Sequence, residues 1–158
     1  MSKQAITLIF DIGKTTKKVL VFDQDFHAVE EHTEIFPEIK DAEGFPSENL
    51  PAVTEWVSAT LNNFLEHPRF SVTHINFTTY GASLVHLLSD GNPLLPFYNY
   101  LKPLPENCKH EFFKNYNTNN DLLTSTASPF LGLLNSGLQL YWVKHSRPDR
   151  VSCIVTSL

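Results

Sequence analysis

Residues 5–23, AITLIFDIGKTTKKVLVFD, constrain the fold of this chain more than any other segment. Two short apolar runs flank a tight turn rich in glycine, lysine and threonine. Each run is built from Ile, Val, Leu and Phe, is too short for an ordinary helix and is bounded by turn residues, so the pair predicts a buried β-hairpin. Successive backbone N–H groups of such a turn, with the hydroxyls of Thr15 and Thr16, can donate to phosphoryl oxygens, and Gly13 lets the backbone come close to a ligand. Lys14, Lys17 and Lys18 add positive charge, and Asp11 offers a hard oxygen that suits Mg²⁺, directly or through water. The same residue types also make an ordinary solvated hairpin tip. Gly13-Lys14-Thr15 imitates the end of a P-loop, but Leu8 stands where that motif needs its first glycine.

The rest of the chain alternates between the two periodicities. A polar turn over 23–25 leads to a third strand over 27–36, and 37–46 reads as a loop. From about Ser47, apolar residues recur at Leu50, Val53, Val57, Leu61 and Phe64 until His67-Pro68, predicting an amphipathic helix that covers the sheet. Residues 72–79 alternate again and, returning after a helix, are placed parallel to the first strand. Segments 83–88 and 94–98 flank the turn Ser89-Asp90-Gly91-Asn92-Pro93 and read as a hairpin. A short helix is expected over 106–116. Another is expected from Ser128-Pro129, with Leu131, Leu134, Leu138 and Trp142 on one stripe as far as Arg147-Pro148. Residues 151–158 read as a strand.

Composition narrows the function. With 158 residues, of which 42% are hydrophobic, the chain can bury a core as one domain. A net charge of −5 disfavours nucleic acid, which needs an extended basic face. No apolar run is long enough to span a bilayer, and the N-terminus shows no signal-peptide core, so no membrane association and a cytoplasmic location are expected. Cys108 and Cys153 form no CxxC pair, which suits a reducing compartment, and the histidines show no HExxH spacing.

A second polar cluster closes the predicted fourth strand. Thr79, Tyr80 and Ser83 carry hydroxyls that can exchange hydrogen bonds with a polyol, and the Tyr80 ring can pack on its C–H face. The alternative is a plain strand-to-turn junction in which Gly81 serves backbone geometry.

Asp11-Ile12-Gly13-Lys14-Thr15-Thr16-Lys17-Lys18, followed by a strand ending in Phe22-Asp23, resembles the opening of the FGGY carbohydrate kinases, Asp-x-Gly-Thr-Thr/Ser-x-x-Lys/Arg. Lys14 departs from the commoner Thr. Thr79-Tyr80-Gly81-Ala82-Ser83 is similar to the Thr-Trp-Gly-Val-Asp segment of the rhamnulokinases in that family, with Ser83 in place of Asp. Tyr98-Asn99-Tyr100-Leu101-Lys102 takes the place of the family's Trp-x-Asp-x-Arg segment, and residues 135–149 resemble its helix ending in Pro-Glu.

The resemblance implies an α/β, ribonuclease H-like fold of the actin, hexokinase and Hsp70 superfamily, here as an incomplete N-terminal half-domain with a mixed sheet. Residues 1–158 would be the first portion of the first kinase domain. It implies ATP and Mg²⁺ as cofactors, with Asp11, Gly13, Lys14, Thr15, Thr16 and Lys18 holding phosphates and Asp11 organising the metal. Thr79, Tyr80, Gly81, Ser83, Asn99 and Lys102 would meet a sugar, expected to be a ketose or deoxyketose such as rhamnulose, fuculose or xylulose. The family's catalytic base falls beyond Leu158, so no catalytic residue is assigned and these residues alone are expected to be inactive; homo-oligomerisation is compatible with the resemblance. The competing expectation, from the fold alone, is a non-catalytic actin-like or Hsp70-like nucleotide-binding domain that controls partner interactions.

Overall fold

The two short apolar runs of 5–23 become sheet in a computed structural model, which describes residues 2–94, 96–117, 121–148 and 156–157. In chain order the strands and helices are β1 (Gln4–Ile12), β2 (Lys17–Phe22), β3 (Ala28–Glu34), β4 (Ile39–Lys40), β5 (Pro46–Ser47), α1 (Leu50–Leu65), β6 (Phe70–Thr79), β7 (His86–Leu87), α2 (Glu106–Tyr116), α3 (Leu122–Ser125), α4 (Ser136–Ser146) and β8 (Thr156–Ser157). Two compact units result, Met1–Glu38 with Asn49–Gly81 and Ile39–Glu48 with Ala82–Leu158.

In the first unit the sheet order is β3-β2-β1-β6, with β1, β2 and β3 paired antiparallel and β6 parallel to β1, as the periodicities predict. Ile6, Leu8 and Phe10 of β1 and Val19 and Val21 of β2 are almost wholly buried on one face. Each such side chain contributes about 1.5–3 kcal/mol of hydrophobic stabilisation. Against that face α1 lays Phe64, Trp56, Val57 and Leu61, with Trp56 edge-on to Phe10 at 5.7 Å. The helix starts at Leu50, later than the expected Ser47, because Ser47 lies in β5 and Asn49 takes the cap, its Oδ1 accepting from the Ala52 N–H at 3.3 Å.

A register shift beside Ile6 decides which side chains of β6 stand level with Leu8 and Phe10 of β1, although Ile75 and Phe77 themselves stay exposed. Thr73 is skipped, its hydroxyl donating to the Ile6 carbonyl at 2.9 Å, so Leu8 pairs with Ile75 and Phe10 with Phe77. Without that extra residue, His74 and Asn76 would take those places. Phe77 then stacks on Phe10 at 5.1 Å.

The second unit is built on a different cluster: Tyr98, Leu104, Cys108, Leu133, Leu138, Tyr141, Trp142 and Val143, with Phe112 and Phe130 packed against it. Helix α2 matches its expected bounds. Burial, with a smaller push from the Glu111 charge, raises the Cys108 thiol pKa, which keeps it protonated and unreactive.

The last helix differs from expectation. It begins at Ser136, not at Ser128-Pro129, and Leu131 and Leu134 of the predicted stripe are exposed while Leu133 is buried. Asn135 explains the delay. Its Oδ1 accepts from the Leu131 N–H at 2.7 Å and its Nδ2 donates to the Pro129 carbonyl at 3.1 Å, folding 128–135 into a turn, with Gly132 at φ +62°.

The expected hairpin of 83–98 shrinks to β7, whose turn is closed by Leu88 N–H to Asn92 O and Leu94 N–H to His86 O. β7 pairs with β8 antiparallel; the remainder of the strand expected over 151–158 lies outside the described residues. Among the described residues no helix is long and apolar enough to cross a membrane.

Candidate functional site

The turn between β1 and β2 owes its shape to Gly13. A Cβ there would lie 2.8 Å from the Thr16 carbonyl oxygen, so the glycine is required by the close approach of the turn to itself. Gly13→Ala is expected to pry the turn open and weaken binding of ADP about tenfold, read by isothermal titration, while the melting temperature shifts little; unchanged affinity would remove the turn from the site.

Lys17 reinforces the same closure. It shares the inward phase of Val19 and Val21, is 1% exposed, and its Nζ donates back to the Lys14 carbonyl at 3.1 Å. Its charge is therefore spent within the turn rather than displayed beside it. The signal was present in the alternation of β2, where Lys17 falls on the apolar face.

Lys14 and Lys18 flank the turn in surface ion pairs, Lys14 with Glu38 and Lys18 with Glu31, the latter at 2.8 Å. The hydrogen bond and then the charge of Glu31 raise the Lys18 pKa, opposed by slight desolvation and assisted by Asp11. Exposed pairs of this kind are worth little and exchange readily, so either lysine can turn to an arriving anion.

Asp11 faces Lys18 across the β1–β2 pair and Thr78 across the β1–β6 pair. Beyond it, Ile12 pairs with Thr79 and its carbonyl accepts from the Tyr80 N–H at 3.1 Å. The first unit thus brings the carboxylate, the turn of 13–16 and the chain at Thr79, Tyr80 and Gly81 to one end of parallel strands, where open α/β sheets bind ligands. A half-buried carboxylate beside hydroxyls and backbone N–H groups is a hard-oxygen and hydrogen-bond donor set that fits hydrated Mg²⁺ and phosphoryl oxygens.

The other sugar candidates belong to the second unit. Ser83 follows Ala82, which holds φ +65°; Gly81, the residue the sequence suggested for unusual geometry, is outside the left-handed region. Asn99 is 4% exposed, with Nδ2 donating to the Pro46 carbonyl at 3.1 Å and Oδ1 accepting from the Leu101 N–H at 3.0 Å. Lys102 is 6% exposed, paired with Asp41 and, at 3.1 Å, with Glu43, and it lies over the rings of Tyr98 and Trp142. Both side chains brace the β4–β5 hairpin, a duty set by partners far away in sequence.

Elsewhere, Asp23, Asp25 and His27 gather in the β2–β3 turn. Asp23 Oδ1 accepts from the N–H groups of Asp25 and His27, each at 2.9 Å, which accounts for the cluster as a turn.

No family model matches the sequence, and no curated protein matches it. Solved structures do. A carbohydrate kinase from Novosphingobium aromaticivorans superposes over 100% of this chain and 32% of its own, with a TM-score of 0.83 and 26% identity. A gluconate kinase from Lactobacillus acidophilus matches 99% of this chain and 31% of its own, with a TM-score of 0.75 and 16% identity. A glycerol kinase from Plasmodium falciparum, solved with ADP, matches 96% and 31%, with a TM-score of 0.67 and 17% identity. The fold is the ribonuclease H-like fold of the FGGY-type carbohydrate kinases, with a mixed sheet, and the chain spans 32% of the length of the first of these kinases.

Proposed function

We propose that this chain supplies the phosphate-binding turn and part of the acceptor side of an ATP-dependent sugar kinase, as the first portion of its first domain. One observation carries the reading: the closed turn of 13–16 and the end of β6 at Thr79 and Tyr80 meet on either side of Asp11. A phosphate turn and a polyol-facing segment on adjacent parallel strands are what transfer of a phosphoryl group to a sugar hydroxyl requires.

In this reading the N–H groups of the turn, the hydroxyls of Thr15 and Thr16, and the ammonium groups of Lys14 and Lys18 hold the terminal phosphates of ATP. Their donors are fixed before the reaction, so they stabilise developing charge with little reorganisation. Asp11 would hold hydrated Mg²⁺ with the nucleotide, and the ion would supply positive charge to the phosphoryl oxygens there. Tyr80 packs on the C–H face of the sugar, while Thr79, the Gly81 backbone and Ser83 exchange hydrogen bonds with its hydroxyls. Asn99 and Lys102 brace the β4–β5 hairpin within the second unit. The base for the attacking hydroxyl and the contacts to adenosine belong to the rest of the kinase, because in-line transfer needs both, and phosphate contacts alone leave the barrier nearly untouched.

The substrate we assign is a ketose or deoxyketose. A full-length kinase carrying this chain is expected to phosphorylate one of rhamnulose, fuculose and xylulose best in a coupled ADP-release assay. Tyr80→Ala is expected to raise the KM for that sugar about tenfold with kcat nearly kept. ATP turnover that no sugar stimulates would overturn the kinase reading in favour of a nucleotide-controlled binding domain.

A further inference from the structure

Strand β3 ends the sheet of the first unit: β2 pairs with one of its edges, and no described residue pairs with the other. Along that free edge the backbone keeps N–H and C=O groups open to a further strand. Beside it lies an open groove of about 430 Å³, walled by Glu30, His32 and Glu34 of β3 and by Trp56, Asn63 and Phe64 of α1. All of these residues belong to the first unit.

Alternation sets what the groove displays. Glu30, His32 and Glu34 share one face of β3, whereas Glu31, on the other face, is taken by Lys18 at 2.8 Å. Glu30 accepts from Arg69 at 2.7 Å and lies 3.3 Å from the His32 ring nitrogen. Glu34 has no ion-pair or hydrogen-bond partner among the described residues. Lys17 stands opposite it in register, but the Lys17 ammonium donates to the Lys14 carbonyl at 3.1 Å.

Charge then decides between occupants. Residues 28–38 hold four glutamates and neither lysine nor arginine, so two β3 edges laid together would set one acidic row against another. Such a row guards an edge against self-pairing. A guard alone needs no aromatic wall, yet half-buried Trp56 and the Phe64 ring line the same groove as the unpaired Glu34. A planar guanidinium can bond a carboxylate with its donors and stack on an aromatic face at once, which a lysine ammonium does less well.

We propose that the free edge of β3 and the groove beside it dock an extended, arginine-bearing segment of a partner protein by strand addition. Its backbone pairs with β3, and its arginines, at alternate positions, enter the groove between Glu34 and Trp56. This surface is separate from the phosphate-binding turn, and the proposal does not rest on the kinase reading.

The test is fluorescence anisotropy with the full-length protein carrying this chain. The probes are a fluorescein-labelled peptide of alternating arginine and threonine, the same residues in block order, and the alternating peptide with N-methylated backbone amides. The alternating peptide is expected to bind. Block order and N-methylation are each expected to weaken it about tenfold, since one misplaces the side chains and the other removes main-chain donors. Glu34→Lys is expected to weaken the alternating peptide about tenfold. Glu111→Lys, the same change of charge at an exposed position of α2 outside the groove, is expected to weaken it less than about twofold. Both substitutions are at exposed positions, so the fold is retained. No binding of the alternating peptide, equal losses with the two variants, or equal binding of the N-methylated peptide would each overturn the proposal. Free arginine that competes as well as the unlabelled peptide would make the groove a small-cation site and overturn it too. A dimer in sedimentation equilibrium that Glu34→Lys disperses would make the occupant a second copy, with the same result.

Discussion

Asp11→Ala in a full-length kinase carrying this chain is expected to lower kcat on the order of 10²–10³-fold while the KM for the sugar stays within about threefold. The asymmetry follows from position. Asp11 lies on β1 opposite Lys18, beside the turn proposed to hold phosphates, so in that reading its loss acts on the charge of the transferring group rather than on recognition of the acceptor. Asp11→Asn keeps the shape and removes the charge, and it is expected to fall nearly as far. Thr15→Ala, which removes one hydroxyl donor from the turn, follows the same pattern with a smaller loss. Steady-state assays with ATP and sugar varied separately check all three, and normal turnover in Asp11→Ala would refute the role assigned to it.

The second large effect concerns stability. Asp41→Ala is expected to destabilise the second unit by about 2–4 kcal/mol, because it strands the Lys102 ammonium beneath the rings of Tyr98 and Trp142. The side chains of Asp41 and Lys102 are only 2% and 6% exposed, so removing one partner leaves a covered charge. Glu43, which also pairs with Lys102, is 63% exposed; the pair therefore lies just under the surface, and the lower half of that range is expected. Replacing both at once, Asp41→Ala with Lys102→Met, should recover much of the loss, since no covered charge then remains unpaired and the exposed Glu43 is solvated. Urea unfolding followed by Trp142 fluorescence reads each variant, and a double variant as unstable as the sum of the singles would show that the pair does not act as a unit.

The same pair carries a pH dependence. Desolvation pushes the Asp41 carboxyl up, but the hydrogen bond from Lys102 and those from the Phe45 and Glu43 N–H groups outweigh it, and its pKa is lowered overall. A carboxylate whose folded pKa lies below its unfolded value stabilises fully above that unfolded value and loses the contribution as pH falls through the folded one. The stability lost in Asp41→Ala should accordingly be complete near neutrality and shrink as the pH drops below about 4.

What the sequence by itself determined was whatever depends on near neighbours along the chain. Short apolar runs placed β1 and β2, the turns and the return after a helix gave the directions of β1, β2, β3 and β6, the three-to-four-residue recurrence from Leu50 to Phe64 placed α1, and Gly13 with its threonines marked the turn. What only the tertiary structure decided was the duty of individual polar side chains. Lys14 and Lys18 are paired with glutamates 24 and 13 residues away, and Lys102 with an aspartate 61 residues away. Gln139, which looks like one more helix former, fastens the backbone 57 residues earlier. Ala82 rather than Gly81 takes the left-handed conformation, and Asn135 spends its amide on the preceding loop and delays α4. Alternation and helical periodicity record which face of an element is apolar, a local property of burial. A hydrogen bond or ion pair depends on which distant group the folded chain brings within about 3 Å, and no local pattern carries that distance.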